Sequence, residues 1–172
     1  MTTLKLNLSY KWDKDTYLQG SKSLYNDILK NSSKRFIGWF FIALSQFGLV
    51  AFYKKGAFGL LLISTIFLIY WYFLRWQLRK FILLNAFKKS PLKDKMINIE
   101  IDSNEIIINK NKILWDDITR VLLEDVGVLL YYEDNFIFIP NSAFDGNEKQ
   151  NFLQFLKENL KDKVVDNKTR KN

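Results

Sequence analysis

The sequence predicts an α+β membrane protein: a two-helix transmembrane hairpin joined to a cytosolic antiparallel β domain that is capped by a C-terminal helix. Three observations predict it. Residues 36–53 and 57–74 are apolar runs without a single charge, separated only by Lys54-Lys55-Gly56. Residues 96–140 alternate short β-prone runs with turn chemistry. Residues 147–160 carry an apolar stripe at helical spacing.

The hairpin is the strongest signal. Each run is eighteen residues long, and at ~1.5 Å per helical residue it spans roughly 27 Å, close to the hydrocarbon core of a bilayer. Trp39 and Tyr53 sit towards the two ends of the first run, where interfacial aromatics belong. Gly38, Ser45 and Gly48 are small enough to let a second helix approach closely, and Gln46 in mid-span is expected to bond across to its partner helix or to meet another membrane-embedded partner. Gly56 suits the left-handed residue that ends a helix.

Upstream, Leu4, Leu6, Leu8 and Tyr10 alternate with Lys5, Asn7 and Ser9. Period two predicts a strand with one buried face, and a lone strand needs a partner sheet. The same segment lacks the apolar stretch of a signal peptide. That sheet is expected in residues 96–140. A helix then follows over about 16–31, capped by Asp13 or Asp15, with Tyr17, Leu18, Leu24, Tyr25, Ile28 and Leu29 on one face. It either packs on the soluble domain or lies on lipid. Asn31-Ser32-Ser33 breaks it before the first span.

Beyond the second span the helical pattern continues through residues 75–90, with Trp76, Phe81, Leu84 and Phe87 among basic residues, and Ser90-Pro91 stops it. Strands are expected over 96–101, 105–109, 112–115, 118–125, 127–132 and 135–140. Asn147 has capping-box spacing to Gln150, and Phe152, Phe155, Leu156 and Leu160 form the stripe of the last helix. The resulting division is 1–35 for the N-terminal strand and helix, 36–74 for the hairpin, 75–90 for a basic juxtamembrane helix, 96–163 for the β domain and 164–172 for a polar tail without structure.

The charge of +8 is unevenly placed. Residues 75–95 hold seven basic residues and one acidic, whereas residues 96–163 hold thirteen acidic and seven basic. Basic charge therefore hugs the hairpin. This argues against nucleic acid, which wants a basic stripe on a folded domain. It fits anionic lipid headgroups, for which Arg75, Arg79, Lys80, Lys88 and Lys89 are the candidates, or simple topology signalling. The positive-inside rule places both termini in the cytoplasm and the Lys54-Lys55-Gly56 turn outside.

There is no Cys and no His. Disulfides, thiolate nucleophiles, nearly all zinc sites and the commonest general base are thereby removed. Asp116-Asp117 and Glu133-Asp134 are compact acidic pairs, but both read as turns. No catalytic residue, metal or cofactor is expected, and the chain reads as a non-enzyme.

One stretch carries a resemblance. Ile113-Leu114-Trp115-Asp116-Asp117-Ile118, then Val121 and Glu124, are followed by Phe136-Ile137-Phe138-Ile139-Pro140, Ala143-Phe144 and a helix through Phe152 and Leu156. With the hairpin upstream, this chain resembles the YcxB-like membrane proteins over nearly its whole length. The resemblance implies a pleckstrin-homology-like (PH-like) β domain anchored to the bacterial inner membrane, with no established activity. Asn141 stands where that family pattern usually has a basic residue. Two functions fit this architecture: a non-enzymatic adaptor or membrane-surface regulatory module, or an immunity protein against a membrane-active toxin. Expected partners are the membrane itself, a protein partner met by the acidic domain, and a second copy of the chain.

Overall fold

In the computed structural model, residues 4–166 are described. They form two compact units, residues 4–24 with 89–166, and residues 25–88.

The first unit is a β domain of two four-stranded sheets. β1 (Lys5–Lys11), β2 (Met96–Asp102), β3 (Glu105–Ile108) and β4 (Asn111–Leu114) form one sheet in that order, all antiparallel. β5 (Ile118–Glu124), β6 (Gly127–Tyr132), β7 (Asn135–Pro140) and β8 (Val164–Asp166) form the other, in the order β7-β6-β5-β8. The N-terminal strand does return to the sheet. Leu6 faces Ile101, Leu8 faces Ile99 and Tyr10 faces Ile97 across the ladder. Both strands bury every second residue, which is what their period-two sequences require.

β5, β6 and β7 behave differently. Their apolar runs are continuous rather than alternating, so both faces need cover. One face joins the main core with β1 and β2. The other presents Leu122, Leu129 and Phe138, against which Trp12 and Leu24 pack. The first half of α1 (Lys14–Asn31) provides this cover, and Gly20 permits it: a Cβ there would stand 2.9 Å from Phe138 Cγ. Asp13 caps α1 by accepting from the Thr16 N–H at 2.8 Å, and that bond holds its carboxyl below the usual range.

α5 (Glu148–Asn159) closes the core with Phe152, Phe155 and Leu156 buried. Trp115 packs on the Phe155 ring at 5.2 Å and donates its indole N–H to the Asp102 carbonyl at 2.8 Å. Asp116 and Asp117 lie in a 3₁₀ turn, with Asp117 accepting from the Leu114 N–H. Two expectations need correction. Asn147 makes no side-chain cap; Glu148 instead accepts from the Asp145 N–H at 2.9 Å. The tail does not lose structure at Val164, because Val164-Val165-Asp166 adds parallel to the free edge of β5. Residues 167–172 of that tail, and 1–3 at the other end, lie outside the described residues.

The second unit is the hairpin. α1 ends at Asn31, and a 3₁₀ turn over Ser33–Phe36, capped by Ser32, leads into α2 (Ile37–Lys55). Gly56 adopts φ 64° and its N–H returns to the Phe52 carbonyl at 2.8 Å. The chain then runs helically from Phe58 to Lys88: α3 (Phe58–Ile69), a π turn (Tyr70–Leu74) and α4 (Arg75–Lys88). Only 11% and 6% of the most apolar windows of these two helices are buried within the protein, at a mean hydropathy of 1.7 in each. A core helix of a soluble protein would be largely covered. These two helices expose Phe, Leu, Ile and Val almost all round, which is consistent with membrane insertion.

Candidate functional site

α2 and α3 meet along a narrow seam. Gly38 and Gly48 are buried in it, and Ser45, between them, is half-buried. A Cβ on Gly48 would stand 2.8 Å from Ser64 Oγ and 3.1 Å from the Leu61 Cα. A Cβ on Gly38 would stand 2.7 Å from the Trp71 indole nitrogen. Between the two glycines, Phe41 stacks on Phe67 at 5.5 Å and meets Trp71 edge-on at 5.7 Å. Ser64 is completely buried, and its hydroxyl donates to the Leu61 carbonyl at 2.9 Å.

Gln46 is not part of this seam. It is exposed, so the expectation that it faces its partner helix is overturned. The reason is angular: at about 100° per residue, Gln46 lies roughly 160° round the helix from Gly48. It shares an exposed stripe with Trp39, Ala43, Val50 and Tyr53.

At the end of the hairpin where α2 begins and α3 finishes, a cavity of about 530 Å³ opens. The second half of α1 contributes Tyr25, Ile28 and Leu29; the entry to α2 contributes Lys34 and Ile37. Tyr70 and Trp71 come from the π turn, and Arg75, Leu78, Arg79, Ile82 and Leu83 from α4. The π turn has a consequence here. It adds a residue to one turn of helix, so it resets the face that everything after Leu74 presents. Arg75 and Arg79, one turn apart on α4, share that face.

The two guanidiniums are held by rings. Arg75 lies 3.9 Å from the Trp71 ring centroid and 5.0 Å from that of Tyr25. Arg79 lies 4.5 Å from the Tyr25 centroid. Tyr25 is itself braced by Trp76 at 5.6 Å. No carboxylate lines this cavity. Asp27 is the single acidic residue between positions 16 and 93. It is buried, accepts from Asn31 Nδ2 at 2.8 Å and is not among the lining residues. Three cations thus gather around one cavity without an anion in its wall.

The structure divides the five basic residues singled out by sequence. Arg75 and Arg79 come together in the cavity. Lys80 is half-buried elsewhere on α4, and Lys88 and Lys89 are exposed at and just beyond its C-terminus. Lys34, a charge flanking the first apolar run, and Tyr25, one residue of an apolar helical face, join them there; neither carries a local sequence signal of meeting α4.

The β domain holds a second cavity, of about 360 Å³, lined by Tyr10, Trp12, Ile97, Ile113 and Phe136 among others, with no charged side chain in its wall. Nearby, Tyr10 is buried and donates its hydroxyl to the Phe138 carbonyl at 2.8 Å. Burial pushes its phenol far above the usual tyrosine range. Among the described residues no group of three or more His, Cys, Asp or Glu gathers as a metal site. No protein family, no curated protein and no solved structure matches this chain.

Proposed function

We propose that this protein is a non-enzymatic module anchored in the bacterial inner membrane. The hairpin crosses the cytoplasmic membrane twice, both termini lie in the cytoplasm, and the β domain serves there as an adaptor or a regulator at the membrane surface. The observation that carries the reading is the exposed apolar hairpin, whose open end is furnished with Lys34, Arg75 and Arg79 and outweighs the Lys54-Lys55 pair at its turn. Cations at that end are what the inner leaflet attracts and what the positive-inside rule places in the cytoplasm.

Two antiparallel-rich sheets closed by a C-terminal helix support reading the β domain as PH-like, with the YcxB-like pattern from Ile113 to Phe144 as its sequence counterpart. The surface of residues 96–163 is acidic, which disfavours lipid headgroups and favours a protein partner. The test places a photo-cross-linking residue at Glu100, and separately at Asp134, in membranes containing the full chain. Discrete protein adducts that disappear when Glu133 is changed to Lys are expected. Adducts with lipid alone contradict the adaptor role.

One observation favours a second reading, an immunity protein against a membrane-active toxin. Gln46 carries an amide on the exposed face of a span. In hydrocarbon such a group seeks a partner helix, whether from a toxin or from a second copy of this chain. Protection of cells from a pore-forming bacteriocin, lost on Gln46→Leu, is the result that reading requires.

A further inference from the structure

We infer that the cavity bounded by Tyr25, Lys34, Trp71, Arg75 and Arg79 is a binding site for the phosphate group of an anionic phospholipid. The inference rests on the reading of the hairpin as a membrane anchor.

The argument begins with charge. Arg75 and Arg79 lie on one face of α4, where residues four apart stand about 6 Å apart at Cβ. Both guanidiniums are drawn to one ring, that of Tyr25. Like charges this close repel, and the wall of the cavity holds no carboxylate to offset them. An oxyanion seated between them does. Guanidinium forks present paired N–H donors that match phosphate oxygens, and Lys34 adds a point charge from the entry to α2. Ring stacking holds Arg75 in place before any ligand arrives, so less side-chain freedom is lost on binding.

The shape then selects the bearer of the phosphate. Ile28, Leu29, Leu78, Ile82 and Leu83 supply an apolar wall. Ile82 and Leu78 remain more than half exposed beside the cations. A free phosphate ion uses none of this surface. A phospholipid uses both parts, its phosphate on the cations and its acyl chains on the aliphatic wall. Tyr70 and Trp71 stand at the end of the span, the level at which headgroups begin.

The test titrates full-length protein in neutral detergent with short-chain phosphatidylglycerol, with phosphatidylcholine and with inorganic phosphate, reading complexes by native mass spectrometry. Saturable binding of one phosphatidylglycerol per chain is expected, weakened roughly fivefold by Arg75→Gln or Arg79→Gln. Lys80→Gln with Lys88→Gln removes twice that charge outside the cavity and is expected to change nothing. Leu29→Trp fills the apolar wall without touching a cation and is expected to weaken the lipid but not inorganic phosphate. Equal affinity for inorganic phosphate and phosphatidylglycerol overturns the lipid assignment. Equal losses in the Arg and Lys variants overturn the site. The unmodified chain is also offered to phosphatidylcholine nanodiscs: failure to enter them contradicts the anchor, whereas entry without phosphatidylglycerol binding contradicts only the site.

Discussion

Gly48 on α2 faces Ser64 on α3 so closely that a Cβ on the glycine would stand 2.8 Å from the serine hydroxyl oxygen. Both residues are buried although most of their neighbours are exposed. The pairing of the two helices is concentrated where small residues let the backbones meet. Van der Waals packing at such points, rather than hydrophobic burial, holds helices together in lipid.

Gly48→Leu is therefore expected to separate α2 from α3. Overpacking of this kind costs about 1–3 kcal/mol, and the nearest obstacle besides Ser64 Oγ is Leu61 backbone, which cannot swing aside. Gln46→Leu, only two residues away but on the exposed face, is expected to leave hairpin stability within about 0.5 kcal/mol of the parent. Thermal unfolding in detergent, followed by proximity labels on α2 and α3, distinguishes them. Equal effects of the two substitutions contradict the seam.

Tyr10 gives a pH signature. Its buried phenol bonds the Phe138 carbonyl, and burial raises its pKa in the folded state. The folded state therefore keeps the proton at a pH where the unfolded chain, with a pKa of about 10, has lost it. The contribution is fully present below pH of about 10 and is lost as the pH rises above that value towards the folded pKa. Tyr10→Phe is expected to lower stability at pH 7 by about 1 kcal/mol through the orphaned carbonyl. The gap between the two proteins should narrow as the pH climbs beyond about 10. Urea unfolding at a series of pH values measures this, and a constant gap across that range contradicts it.

β1 is expected to be indispensable to a domain that otherwise begins some eighty residues later. It pairs with β2 along seven positions and contributes Leu6, Leu8 and Tyr10 to the core, with Leu4 joining just ahead of it. A fragment of residues 89–172 alone should fail to fold, while residues 1–24 joined to it by a flexible Gly/Ser linker should fold as a soluble unit. Dispersion of backbone amide resonances reports the outcome. A well-dispersed spectrum from the shorter fragment contradicts the account.

The elements that were legible in sequence are those with a local pattern. Leu4, Leu6 and Leu8 announce β1 by alternation, and the charge-free runs announce α2 and α3 by length alone. Strand ends between Met96 and Pro140 follow turn residues to within one or two positions. What was not legible depends on distant partners. Val164-Val165-Asp166 is too short to show a strand period and becomes one because β5 has a free edge. The π turn at Tyr70–Leu74 contains no Gly or Pro to mark it. Gln46 has the same local context whichever side of α2 faces α3, and the close approach at Gly48 decides that. Arg75 and Arg79 were visible as charges, but their meeting with Tyr25 and Lys34 arises from three separate stretches of chain.

The central claim is that the hairpin crosses a membrane with its cation-rich end on the cytoplasmic side. The chain contains no Cys, so single cysteines at Lys55 and at Asp134 can be labelled without background. The measurement is modification by a membrane-impermeant maleimide in bacterial spheroplasts expressing each variant, before and after permeabilisation. The account predicts that Lys55→Cys reacts in intact spheroplasts and that Asp134→Cys reacts only once they are permeabilised. Labelling of Asp134→Cys in intact spheroplasts, or protection of Lys55→Cys there, contradicts it.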